Sequence, residues 1–171
     1  TPFNGQYLRL SFRGNFGSNK IQLSAVQFFG TQPTEIVFQP QTKEELQTAV
    51  DLWVDDNGTA LTTYGEINSW DVSLITDMAN LFQSKSTFNS DISSWDVSSV
   101  TNMNRMFNNA SSFNQPIGSW DVSSVTDMQW MFAAASSFDQ PIGNWDVSNV
   151  TTFSWTFYLS SFNQDISTWD V

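Results

Sequence analysis

Residues 88–107 read FNSDISSWDVSSVTNMNRMF, and residues 113–132 read FNQPIGSWDVSSVTDMQWMF. The two lines agree at Trp-Asp-Val, Val-Thr and Met-x-x-Met-Phe with an offset of 25 residues. Working outward in both directions, Trp70, Trp95, Trp120, Trp145 and Trp169 follow one another at intervals of 25, 25, 25 and 24 residues. Each is followed by the same order of types, which from Trp95 is Asp96, Val97, Val100, Thr101, Met103, Phe107, Phe113 and Ile117. Self-similarity at a fixed period of this length marks a stacked repeat protein. The short last interval falls where Ala133, Ala134 and Ala135 face only Tyr158 and Leu159, the kind of deletion a loop tolerates.

One unit is too short to bury its own apolar positions, so the units must stack and cover one another. In Ile92-x-x-Trp95-x-Val97 the Trp and Val are two residues apart on one side of an extended segment, with Asp96 on the other. This predicts one short strand per coil, and stacked coils then form a parallel sheet. The apolar spacing of Met103, Met106, Phe107 and Ala110 predicts a short helical turn on the opposite wall. The expected fold is a β-solenoid of about four to five coils over residues 60–171, with short helical turns.

Ahead of the repeats, Thr42-Lys43-Glu44-Glu45 reads as a capping box, and Leu46, Ala49, Val50 and Trp53 form an amphipathic run. An N-terminal cap helix over about 43–54 is expected to cover the first coil, with Tyr64 to Trp70 supplying that coil's strand. Residues 39–59 thus form a cap helix and turn. Residues 1–38 differ in kind: Leu8, Leu10 and Phe12 alternate with polar residues, and a Gly/Asn/Ser turn leads into Ile21 to Gly30. They predict a two-strand β segment, which is marginal in water by itself. Such a pair must pack on the repeats or join another chain.

The repeat segments resemble the bacterial surface protein repeat of 25–26 residues, related to BspA-like leucine-rich repeats, over residues 60–171. That resemblance implies a right-handed, leucine-rich-repeat-like solenoid in a secreted or surface-anchored protein, and it brings no catalytic residues. Thr152 and Phe153 depart from the pattern in the last full copy. Residues 6–30 bear a weaker resemblance to the C-terminal strands of a discoidin-type, galactose-binding-like sandwich. A whole sandwich needs on the order of 100 residues, so only its tail would be present.

Composition narrows the function. The chain has 171 residues, a formal charge of −11, and neither Cys nor His. Disulfides, thiol nucleophiles and the commonest metal ligand are therefore excluded. An acidic surface repels nucleic-acid phosphates and anionic lipid, and no apolar run is long enough for membrane insertion. Residue 1 is Thr with no leader after it, which reads as a processed or excised chain. An enzyme is not expected, because a repeating row of carboxylates gives near-equivalent environments, whereas an acid/base pair needs unequal ones.

Several residues carry open alternatives. Asp71, Asp96, Asp121 and Asp146 project from the expected sheet and are calcium candidates, with a solvated face as the competing reading. No other cofactor is implied. Asp55-Asp56-Asn57-Gly58 reads as a turn, since an EF-hand frame would put Trp53 first and Tyr64 twelfth. Thr76, Thr101, Thr126 and Thr151 read as inter-coil hydrogen-bonding positions rather than an ice-ordering face. Asn57, Asn109 and Asn149 stand in N-glycosylation sequons. The chain stops at Trp169-Asp170-Val171 without a polar cap, which would leave Ile166, Trp169 and Val171 as an assembly edge. Residues 1–40 carry +2 and the remainder −13, a split that favours head-to-tail contact. The functional expectation is an extracellular structural or adhesive repeat protein, a rigid spacer contacting other surface proteins, glycans or copies of itself. A self-assembling head-to-tail filament subunit and a carbohydrate-binding module are the alternatives.

Overall fold

The computed structural model divides the chain into two units, Thr1–Thr34 and Glu35–Val171, and the structure describes residues 37–170. The expected two-strand segment at 1–38 lies outside the described residues, apart from Val37 and Phe38.

Helix α1 spans Lys43–Asp55. The Thr42 hydroxyl oxygen accepts from the Glu45 amide at 3.2 Å, and the Glu45 carboxylate accepts from the Gln41 amide at 2.7 Å. That is the reciprocal pattern of a capping box, shifted one residue outward on the return bond. The predicted face is the buried one: Leu46, Ala49 and Val50 are fully enclosed, and Trp53 is buried. Trp53 donates its indole N–H to Ser90 Oγ at 2.9 Å, and Gln47 donates to the Leu81 carbonyl at 3.1 Å. Lys43 pairs with Asp77 and Lys85 with Asp51. The ion pairs are partly solvated, so apolar burial does most to hold the cap.

The turn expected at Asp55 to Gly58 is reduced to Asp56. This residue ends α1 and caps helix α2, Asn57–Tyr64, accepting from the Thr59 amide at 3.1 Å and the Thr59 hydroxyl at 2.6 Å. Only Ala60 of α2 is buried, so the helix carries no apolar period for a sequence reading to detect. A single 3-10 turn, Ile67–Ser69, stands where the first coil's strand was expected.

The β-solenoid expectation is overturned. Among the described residues there is no strand, only α1, α2 and the 3-10 turn, so the right-handed leucine-rich-repeat-like description lapses with the sheet. The 25-residue units do stack, but through turns. Parallel pairing is limited to single positions, Asp77 with Asn102, Asn102 with Asp127, and Asp127 with Thr152.

Two backbone features explain the absence of strands. Around the tryptophan, the amides close local turns, Trp95 to the Ile92 carbonyl and Val100 to the Val97 carbonyl. Between Ile92 and Val100 no backbone–backbone bond links neighbouring units among the described residues. On the opposite wall, expected to be helical, the amides of Met78, Asn80, Phe82 and Ser84 donate to the carbonyls of Asn102, Asn104, Met106 and Asn108 in the next unit. The intervening amides of Leu81, Gln83 and Lys85 donate three residues back. Splitting alternate donors between neighbour and turn satisfies the backbone with neither a helix nor a sheet.

This wall turns at residues with positive φ. Asn80, Ser84, Arg105, Asn109, Trp130, Ala134, Trp155 and Leu159 have φ between 54° and 65°. Each is the third residue of a four-residue turn, such as Met78 to Leu81 or Phe132 to Ala135. A Cβ in this region costs about 1 kcal/mol or more. Ala134→Gly is therefore expected to raise stability by about 0.5 kcal/mol, after discounting glycine's extra freedom in the unfolded chain. Thermal unfolding followed by circular dichroism checks this; a lower Tm would contradict it.

Side-chain ladders make the core. Phe82, Phe107, Phe132 and Phe157 stack at 5.2, 5.5 and 5.7 Å between ring centroids. Phe88, Phe113, Phe138 and Phe162 stack beside them at 5.9, 5.9 and 6.0 Å. The tryptophan ladder supplies the link that the backbone there does not. Trp95, Trp120, Trp145 and Trp169 donate their indole N–H to the carbonyls of Ile67, Ile92, Ile117 and Ile142 in the preceding unit. A polar staple runs along a third edge, where the amides of Asn114, Asp139 and Asn163 donate to the side chains of Asn89, Asn114 and Asp139.

Candidate contact surface

The positive-φ residues project outward from the turn wall, and the side chains at these positions change from unit to unit. Asn80, Arg105, Trp130 and Trp155 occupy one position in successive units, and Ser84, Asn109, Ala134 and Leu159 occupy another. Arg105 is exposed and Trp130 is half-buried, although each has a repeat unit on both sides of it in the stack. The outward aim is thus a property of the turn, not of its place in the array.

In the last two units this column becomes aromatic. Trp130 and Trp155 stack at 5.4 Å with planes 17° apart. Tyr158 stands perpendicular to both, 4.8 Å and 89° from Trp155, and 5.9 Å and 79° from Trp130. The Arg105 guanidinium lies 5.9 Å from the Trp130 ring centroid. Trp155 is 54% exposed, Tyr158 45% and Leu159 70%.

Hydrogen bonding separates this pair from the structural indoles. The chain has eight tryptophans. Six of them, Trp53, Trp70, Trp95, Trp120, Trp145 and Trp169, donate their indole N–H to protein acceptors. Trp130 and Trp155 have no such acceptor among the described residues, and no buried side-chain nitrogen or oxygen there lacks a partner. The half-buried Trp130 therefore keeps its donor open to solvent, and Trp155 is itself an exposed residue. Exposed Trp, Tyr, Leu and Arg side by side have the composition of an interface hot spot. None of them was singled out from the sequence. The signal was nevertheless present, as a second tryptophan pair at the same 25-residue interval outside the Trp-Asp-Val pattern.

The residues that were singled out fare differently. In Asp71, Asp96, Asp121 and Asp146, one carboxylate oxygen accepts both the amide and the hydroxyl of the serine two residues on. Those bonds, the hydroxyl's first, hold the carboxyls of Asp71, Asp121 and Asp146 below the usual aspartate range. The row is a set of turn-closing groups, and no group of three or more acidic side chains that could hold a metal ion occurs among the described residues. Thr101, Thr126 and Thr151 each turn the hydroxyl back onto the carbonyl of the preceding threonine.

Asn57, Asn109 and Asn149 are all exposed, and the hydroxyls of their sequons are bonded within the protein, Thr59 to Asp56, Ser111 to Ser86 and Thr151 to Thr126. Ile166 and Trp169 are half-buried, with Trp169 stacked on Trp145 at 6.4 Å. Val171 lies outside the described residues.

A family profile described as Mycoplasma protein of unknown function, DUF285, matches residues 54–169. The chain belongs to this family. The DUF285 match begins within α1 and ends on Trp169, so it takes in the whole tryptophan ladder and the Arg105–Tyr158 surface. Neither a curated protein nor a solved structure matches the chain. The BspA-like and discoidin-type resemblances gain no support from these comparisons. No helix among the described residues is long and apolar enough to cross a membrane.

Proposed function

We propose that the repeat unit is a non-enzymatic, rigid spacer of an extracellular structural or adhesive protein, and that its turn wall makes the contact with a protein or glycan partner. The observation that carries this reading is the solvent-facing Trp130–Trp155–Tyr158 cluster, whose rings do no work in the core. Rigidity is supported by stacked rings and inter-unit amide bonds repeated at every step. The extracellular setting in this proposal is supported only by the resemblance of residues 88–107 to bacterial surface repeats.

The test exploits the column itself. Asn80 shows that asparagine suits this backbone position, so Trp130→Asn/Trp155→Asn removes the rings without straining the turn. Beads coated with the full chain should adhere to cells or matrix, and the double variant should bind about tenfold less at unchanged circular dichroism. Undiminished adhesion by a folded double variant would defeat the proposal.

A further inference from the structure

We infer that the Trp155–Tyr158 corner, backed by Trp130, docks an arginine side chain of a basic protein segment. This deepens the contact-surface reading and rests on it. The two rings meet at 4.8 Å and 89° in an edge-to-face contact, which sets the ring planes at right angles. Ring faces are the negative part of an aromatic quadrupole, and two rings set this way form part of a cation cage.

The column already shows its preference. Its one cationic member, Arg105, lies over the neighbouring ring, Trp130. Lys43 and Lys85 are engaged in ion pairs with α1 or the first unit, so neither competes for the corner.

Charge selects the same partner. The chain carries −11, and Asp127, partly exposed, stands three residues before Trp130 on the same turn wall. A basic segment is steered toward such a surface, whereas an acidic one is repelled. Arginine fits better than lysine because a planar, weakly hydrated guanidinium stacks on a ring, while an ammonium is a strongly hydrated point charge. The indole N–H groups of Trp130 and Trp155, which have no acceptor among the described residues, would donate to backbone carbonyls of the segment, which gives the site a peptide-binding edge as well as a cation-binding face.

The experiment titrates the full chain, labelled with nitrogen-15, with a nona-arginine peptide and separately with nona-lysine of equal charge. The Trp130 and Trp155 indole resonances should move with nona-arginine while the six internally bonded indoles stay. Nona-arginine should bind about tenfold more tightly than nona-lysine, and Trp155→Asn should remove that difference. Equal affinity for both peptides with the two indoles unmoved would overturn the inference in favour of general acidity. Movement of those indoles with chitohexaose or cellohexaose but not nona-arginine would overturn it in favour of a glycan. Movement on raising protein concentration alone would overturn it in favour of a second copy. If nona-arginine fails while the double asparagine variant still loses adhesion, the contact surface stands and only the arginine assignment falls.

Discussion

Phe107→Ala should cost about 3–5 kcal/mol of folding stability, the largest loss from any single truncation in the repeats. Phe107 is fully enclosed and sits at the crossing of two ladders. It stacks on Phe82 at 5.2 Å and Phe132 at 5.5 Å along one ladder, on Phe113 at 4.0 Å across to the other, and lies 6.3 Å from Trp120. Truncation leaves a ring-sized cavity that the neighbours cannot fill. The amides on both sides of the stack are committed to inter-unit bonds, including Phe82 to Met106 and Phe107 to Met131. Phe157 occupies the same position in the last unit but is only partly buried, so Phe157→Ala should cost about half as much. Urea unfolding of the two variants measures both numbers. A loss under about 1.5 kcal/mol for Phe107→Ala would mean that the ring ladders are not the principal source of stability.

The tryptophan interval and the buried sets were legible because burial is periodic whatever the backbone does. Trp95, Val97, Val100, Met103, Phe107, Phe113 and Ile117 are all in the core, as their recurrence required. Helix α1 was legible for the same reason, with a cap at Thr42 and a clear apolar stripe. What misled was the step from spacing to conformation. Two apolar residues separated by one polar residue suit a strand, but they equally suit a tight turn whose donors are used locally, which is what Trp95 and Val97 occupy. The turn wall was hidden further because its positive-φ sites hold Asn80, Arg105, Trp130 and Trp155 rather than a recurring glycine. Arginine and tryptophan give no warning of left-handed backbone. The contact surface escaped notice on similar grounds, since attention to what the repeats share passes over the columns in which they differ.

The interval between units is set most tightly at Gly118, and here the substitution with the second large effect is a single methyl. A Cβ on Gly118 would lie 2.3 Å from the Pro141 carbonyl oxygen of the next unit, and one on Gly143 would lie 2.5 Å from the Asp165 carbonyl oxygen. Both obstacles are backbone atoms that cannot rotate away. Neither glycine has positive φ, so crowding alone sets the cost. Gly118→Ala must part the two units beside the bond from the Trp145 indole to the Ile117 carbonyl, at 3.2 Å, and should lose about 2–3 kcal/mol. The equivalent residue two before Trp95 is Ser93, which tolerates a Cβ in a different local setting: the Asp91 carboxylate accepts from the Ser93 amide at 2.9 Å, where the glycine units have Pro116 or Pro141 instead of an aspartate. Pairing is therefore expected, with Pro116→Asp/Gly118→Ser recovering much of what Gly118→Ala loses. Gly58→Ala supplies the opposite sign, because its Cβ would meet only Asp56 Oδ1 at 3.6 Å and a helical glycine becomes alanine, gaining about 0.5 kcal/mol. Thermal melts of the three variants decide the matter: if Gly118→Ala and Gly58→Ala shift Tm in the same direction, the spacing between units is not fixed by that carbonyl contact.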